Sequence, residues 1–226
     1  MEAIGDADLS AVGALLAEPA RAKVLLALGD GRSLAASVLA AEAGVAPSTV
    51  SHHLAKLVDA GLVSAVSRGR HRYFSLAGPR VGELIEAVAR VAPAQPVTSL
   101  RQGTRAHAVR YARHCYDHLA GRLGVAVTDA LCEHDVLSPG EDGFVVTSGG
   151  AAALAELGVA ARSGDVARSC LDWTEQSGHV AGPLGRALLS RFVELGWLSH
   201  DRATRAVHLT EAGRAELPAR VGVRLP

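Results

Sequence analysis

The chain has 226 residues, 49% apolar and 4% aromatic, with 23 basic and 23 acidic side chains and a formal net charge of +0. That size fits one large domain or two to three small ones, and the balanced charge means that any case for nucleic acid must rest on local patches. No apolar run reaches a membrane span, and the acidic opening Met1-Glu-Ala-Ile-Gly-Asp-Ala-Asp8 is not a signal peptide, so a cytoplasmic protein without membrane contact is expected.

In chain order, Leu9, Val12, Leu15 and Leu16 have helical spacing, and a second helix is predicted from Pro19 to the stop at Gly29-Asp-Gly31. Ser33–Leu39 begins another helix closing near Ala43-Gly44. Pro47-Ser48-Thr49 opens the next, with Leu54, Leu57 and Val58 on one face and a stop at Gly61. Leu62–Val66 and His71–Leu76 read as strands around Ser67-Arg-Gly-Arg70, followed by a helix over Gly82–Val91 and a candidate linker, Ala92-Pro-Ala-Gln-Pro96. Helix, helix-turn-helix and hairpin together make a winged helix-turn-helix.

Beyond the linker, Leu100–Leu123 reads as one long helix carrying Arg101, Arg105, Arg110, Arg113 and Arg122 against the single acid Asp117. The segment Val125–His134, a break at Ser138–Gly143, a strand-like Phe144–Thr147 and the segment Ala151–Leu157 follow. Displacing the first unit by 135 positions sets Ala46 on Ala181, Val58 on Val193, Gly61 on Gly196 and Gly78 on Gly213. This predicts a second helix over Leu184–Leu195 and a second hairpin from Trp197-Leu198 and Ala206–Leu209. A third partial copy lies between, and Ser75, Thr147 and Thr210 each stand three residues before a Gly as candidate helix caps. The expected fold class is mainly α with small β-hairpins (α+β), divided into a winged domain at 1–97 and a C-terminal region at 98–226 containing degenerate winged-helix units.

A helix that enters the major groove buries one face on its own domain and presents short polar or basic groups on the other. Here Val50, Leu54, Leu57 and Val58 supply the first face, and Ser48, Thr49, Ser51, His52 and Lys56 the second. His53 either meets phosphate or acts as a partly buried support. Alternation along a hairpin puts Arg68, Arg70 and Arg72 on one face, aimed at the DNA backbone or minor groove. These nine residues are the candidate DNA-binding set.

Val45-Ala-Pro-Ser-Thr-Val-Ser-His-His-Leu-Ala-Lys-Leu-Val-Asp-Ala-Gly-Leu-Val63 with Arg68-Gly-Arg-His-Arg-Tyr-Phe74 resembles the DNA-binding core of ArsR-type winged-helix repressors, over roughly residues 9–91. The resemblance implies a homodimer formed by the first and last helices of the winged domain, bound to an inverted-repeat (palindromic) operator in double-stranded DNA and released by an effector. It carries over no metal site. Members that sense metals use cysteines in the helix before the turn, and Ser33–Ala40 has none; others use Asp and His after the wing, where Gly78, Pro79 and Arg80 stand.

Cys115, Cys132 and Cys170 have no Cys-x-x-Cys spacing, which predicts free thiols. On the supposed long helix, His114 and His118 form an i, i+4 pair and Cys115 and His118 an i, i+3 pair. The choices are a polar face with one buried Cys, two ligands for a soft metal, or a redox thiol, with Cys132-Glu-His134 needed to complete a site. No cofactor and no metal ligand is assigned. In the second unit Pro183, Leu184, Arg186 and Ala187 replace the polar set, so that helix is expected to pack on protein or line an effector pocket; Cys170-Leu-Asp-Trp173 and Trp197 either wall such a pocket or are simply core. The reading is a sequence-specific transcriptional regulator, a repressor with a small-molecule or redox effector, against the alternative of a tandem winged-helix scaffold that binds protein. No catalytic constellation is seen, so an enzyme is not expected.

Overall fold

The computed structural model describes residues 6–29, 31–93, 100–201 and 204–226; the side chains of residues 100–102 and 105 are not described. The N-terminal acidic stretch before Asp6, part of the candidate linker, the side chains of Arg101 and Arg105, and Ala203 therefore lie outside the described residues. The chain divides into two compact units, Met1–Ile85 and Glu86–Pro226. Among the described residues no helix is long and apolar enough to cross a membrane.

The first unit runs α1 (Leu9–Leu16), α2 (Pro19–Leu28), β1 (Leu34–Ala35), α3 (Ala36–Ala43), α4 (Pro47–Asp59), β2 (Val63–Arg68) and β3 (His71–Leu76), leading into α5 (Pro79–Val91), which crosses the division. Asp8 caps α1 and Glu18 caps α2 through side-chain carboxylates. Buried Arg21 donates to the carbonyls of Leu15 and Ala14, answering the open end of α1. Gly44, with φ of 71°, ends α3 in the left-handed region and makes the sharp turn into α4. Val24, Leu25, Leu28, Leu39, Val50, Leu54, Leu57 and Phe74 form the core. The strand β1 was not expected. Two residues carry no readable alternation, and β1 exists by pairing with β3 in the sheet order β1-β3-β2.

The second unit corrects the expected long helix. Its α6 covers only Leu100–Tyr111, and β4 (Arg113–Cys115) and β5 (His118–Ala120) form a hairpin before α7 (Arg122–Glu133). Tyr116 turns the hairpin at φ 58°. Then come β6 (Leu137–Gly140), β7 (Gly143–Val146), α8 (Ser148–Glu156), β8 (Val166–Leu171), β9 (Gly178–Val180), α9 (Gly182–Glu194), β10 (Leu198–His200), β11 (Val207–Leu209) and α10 (Glu211–Val221). One apolar core, including Leu123, Leu131, Leu154, Leu188, Phe192, Trp197 and Leu217, runs through this unit.

Among the described residues the winged geometry occurs three times. After α4, α7 and α9 the chain reverses through Gly61, Asp135 and Gly196, all with positive φ. The next amide returns to the helix in the same way each time: Leu62 to Leu57 (2.9 Å), Val136 to Leu131 (2.8 Å) and Trp197 to Phe192 (2.9 Å). Each hairpin closes alike, with the amides of Ala77, Thr147 and Thr210 donating to Leu62, Val136 and Trp197, each at 3.1 Å. The gapless displacement of the first unit therefore holds along the helix but slips in the hairpin, since Ala77 corresponds to Thr210 and not to Ala212. Thr147 and Thr210 cap α8 and α10, whereas Ser75 sits inside β3 opposite Ser64.

A closer repeat, not anticipated, organises the second unit. Arg113-His-Cys115-Tyr-Asp117 followed by His118-Leu-Ala-Gly121-Arg-Leu-Gly124 matches Arg168-Ser-Cys170-Leu-Asp172 followed by His179-Val-Ala-Gly182-Pro-Leu-Gly185. Each copy is a short hairpin, a helix, a wing and a last helix. The copies exchange strands: β8 pairs with β7 of the other wing (Arg168 opposite Gly143), while Arg113 of β4 bridges Ala206 beside β11. Gly124 and Gly185 let each helix seat against its hairpin, because a Cβ there would lie 2.6 Å from the Leu119 carbonyl and 2.4 Å from the Val180 carbonyl respectively.

Candidate nucleic-acid interface and a buried cysteine–histidine cluster

The first unit divides α4 as its pattern requires. Val50, Leu54 and Leu57 are buried, Val58 is half-buried, and Ser48, Thr49, Ser51, His52 and Lys56 are exposed. Pro47 occupies the first turn and Ala46 offers no side-chain cap, so the leading N–H groups are not answered by a capping side chain. Unpaired N–H groups at the positive end of a helix dipole suit phosphate. The Ser51 hydroxyl donates to the Pro47 carbonyl at 2.8 Å, which leaves its oxygen as an acceptor.

His53 belongs elsewhere. It is half-buried, with Nε2 3.5 Å from a Glu18 carboxylate oxygen at the start of α2, which favours the support role over phosphate contact.

The wing also departs from expectation. Arg68, Arg70 and Arg72 do not share a face, because Gly69 and Arg70 form a two-residue turn that pairs Arg68 with His71 and Ser67 with Arg72. Opposed residues share a face, so Arg68 and Arg72 are on opposite sides and Arg70 is at the tip. The Arg68 guanidinium lies 5.9 Å from the Tyr73 ring centre, and that of Arg72 lies 5.3 Å from Phe74. All three arginines are exposed.

In the second unit, α9, one of the two helices equivalent to α4, meets protein. Leu184 is buried, a Cβ at Gly185 would lie 3.1 Å from the His118 Cβ, and Arg186 pairs with Asp117 at the tip of the β4–β5 hairpin. Trp197 is core, stacked on Phe192 at 5.6 Å, and Trp173 carries the guanidinium of Arg113 at 4.9 Å. Both tryptophans thus have packing roles. Asp172 pairs with Arg113, and Glu194 with Arg191.

The hairpins bring Cys115, His118, Cys170 and His179 together, with one ligand atom from each lying within 4.8 Å of all the others. Cys115, His118 and His179 are buried and Cys170 half-buried. The Cys115 thiol hydrogen-bonds to Cys170, which with help from His118 and His179 holds Cys170 well below its ordinary value and pushes Cys115 up. Burial opposes charge on His118, but Asp117 and Cys170 raise it overall. The sequence pairing of Cys115 with His118 survives on a hairpin rather than a helix. Cys132 and His134 are not in the cluster. Cys170 and His179 were missed, although the repeated Arg-x-Cys-x-Asp and His-x-Ala-Gly-x-Leu-Gly segments mark them.

A family profile described as Helix-turn-helix domain matches residues 16–65. The chain is 38% identical over 223 residues to the HTH-type transcriptional regulator YdfF of Bacillus subtilis (strain 168), covering 96% of this chain and 99% of that one. It is 38% identical over 97 residues to the HTH-type transcriptional regulator CmtR of Mycobacterium tuberculosis (strain ATCC 25618 / H37Rv), covering 41% of this chain and 81% of that protein. Among solved structures, it is similar to a homodimeric winged helix-turn-helix DNA-binding domain from Mycobacterium bovis, described as a possible ArsR-family transcriptional regulator. That match has 32% identity and a TM-score of 0.33, and covers 35% of this chain and 73% of that one.

Proposed function

The chain belongs to the helix-turn-helix transcriptional regulators, and from that footing we propose that it is a homodimeric repressor reading an inverted-repeat operator through α4 and the β2–β3 wing. The observation that carries the proposal is the two-faced α4: buried Val50, Leu54 and Leu57 fix the helix, while Ser48, Thr49, Ser51, His52 and Lys56 stand exposed beside an arginine-bearing wing. Short hydroxyl and imidazole groups reach base edges, and Lys56, Arg68, Arg70 and Arg72 neutralise phosphates. His53 supports the helix from behind.

Dimerisation is favoured by α1, whose sequence Leu-Ser-Ala-Val-Gly-Ala-Leu-Leu has no buried residue and leaves Leu9 79% exposed. An apolar helix left uncovered in one protomer is suited to burial against its symmetry mate, and a twofold axis makes a palindromic site the geometric complement. The second unit then serves reception of an effector, since its equivalent helix α9 is committed to protein contacts. The test is fluorescence anisotropy of the full chain on its own upstream DNA and on scrambled duplex, with and without candidate effectors. Tighter, dimer-stoichiometric binding to the first supports the proposal, and equal binding to both removes it.

A further inference from the structure

Cys115 and His118 are directly opposed across β4–β5, and Cys170 and His179 are directly opposed across β8–β9. Opposed residues of an antiparallel pair project to the same side, so each hairpin offers one thiol and one imidazole together, and the two copies of the repeat offer them to each other. A tetrahedral Zn2+ with Zn–S of about 2.3 Å and Zn–N of about 2.0–2.1 Å sets the S···S edge near ~3.8 Å and the N···N edge near ~3.4 Å. The observed edges are 3.7 Å between Cys115 Sγ and Cys170 Sγ, and 3.1 Å between His118 Nε2 and His179 Nε2.

The surroundings are those of a metal site. Asp117 Oδ1 lies 3.1 Å from His118 Nδ1 while its Oδ2 accepts from Arg186, the carboxylate support that orients a ligating imidazole. His179 is fully buried, its Nδ1 has no hydrogen-bond partner among the described residues, and its Nε2 points into the cluster. Beside the two cysteines, Arg113 and Asp172 join the same two hairpins through a buried ion pair.

We propose that Cys115, His118, Cys170 and His179 bind one Zn2+ in a closed tetrahedral site that pins the two halves of the second unit together. The cysteines bind as thiolates and the histidines as neutral imidazoles, so the protons still carried by these four groups pass to solvent on binding, and no electron is transferred. Four protein ligands leave no open coordination position, so the ion is structural rather than catalytic. The site is independent of operator reading, because every ligand lies in the second unit.

The test is metal analysis of the full chain purified under reducing conditions, followed by chelator treatment and titration with Co2+. One zinc per chain is expected, with Co2+ giving the intense ligand-field bands of a tetrahedral site and thiolate charge transfer. Cys132→Ser should retain the metal and Cys170→Ser should lose it. His118→Cys should keep the metal and shift the cobalt bands towards a three-thiolate site, a gain that misfolding cannot imitate. A metal-free chain whose Co2+ spectrum stays that of the hydrated ion would overturn the proposal. So would a mass lower by two hydrogens from a Cys115–Cys170 disulfide in the chain as purified, or an unchanged cobalt spectrum in His118→Cys.

Discussion

Arg113 and Asp172 form an ion pair at 2.9 Å in which both side chains are fully buried. Asp172 accepts further hydrogen bonds from the Gly121 amide and from the amide and hydroxyl of Thr174, and Arg113 lies over Trp173. Burial opposes the Asp172 charge, but Arg113 and these donors outweigh it and hold the carboxyl below its ordinary range. The pair is expected to fix the orientation of one hairpin to the other.

Removing one partner leaves an uncompensated buried charge, at a cost of about 3–5 kcal/mol. Asp172→Ala should therefore lower the unfolding free energy of the second unit in urea by that much, with little change in the first. The pH dependence has a definite sign. A carboxyl whose folded pKa is lowered contributes stability that is fully present above its unfolded value and lost as pH falls through the folded value. Stability of the wild-type second unit should fall at the acid end, and Asp172→Asn should flatten that limb; equal acid slopes would count against the pair.

Helix seating gives a paired prediction. At Gly185 a methyl group would lie 2.4 Å from the Val180 carbonyl, so Gly185→Ala should cost about 1–3 kcal/mol through forced displacement of α9. Gly149, exposed in α8 with open space where a Cβ would stand, should behave oppositely, Gly149→Ala gaining about 0.5–1 kcal/mol from helix propensity. Thermal unfolding of the two variants separates close approach from the general effect of replacing glycine.

The wing can be dissected by salt dependence. Arg70→Ala at the tip and Arg68→Ala should weaken binding to all duplexes and each reduce the salt slope by about 1. Arg72→Ala, on the opposite face against Phe74, should change the slope less. Anisotropy titrations over a range of salt concentrations would show it. Three equal losses would mean that the hairpin rotates on binding.

Base reading and helix support should also come apart. Ser51→Ala or His52→Ala should change preference at single positions by about 1–3 kcal/mol, whereas His53→Ala should lower the stability of the first unit and weaken all duplexes alike. Binding to a panel of single-substituted sites, with unfolding curves for each variant, makes the distinction.

The first unit was legible because its helices carry long apolar periods and firm stops at Gly44 and Gly61. The wing faces were misread because alternation was counted through Gly69-Arg70, where a tight turn restarts it. Leu100–Leu123 was misread because three-residue strands are too short to show a period: β4 exists by pairing with β5 and by the His114 amide meeting the Arg205 carbonyl. The Cys/His cluster needed two hairpins distant in sequence. The internal Arg-x-Cys-x-Asp and His-x-Ala-Gly-x-Leu-Gly repeats carry the local sign of it, obscured by the longer Leu171–Gly178 connection in the second copy.

The most direct measurement of the central claim is selection of bound duplexes from a random pool by the full chain, repeated with a Ser48, Thr49, Ser51 and His52 to Ala variant. An enriched inverted repeat is expected for the wild type, with half-sites about 10–10.5 base pairs apart or a multiple of that, and loss of enrichment in the variant with retained salt-sensitive binding. Failure of the wild type to enrich any motif, or an unchanged motif in the variant, would contradict it.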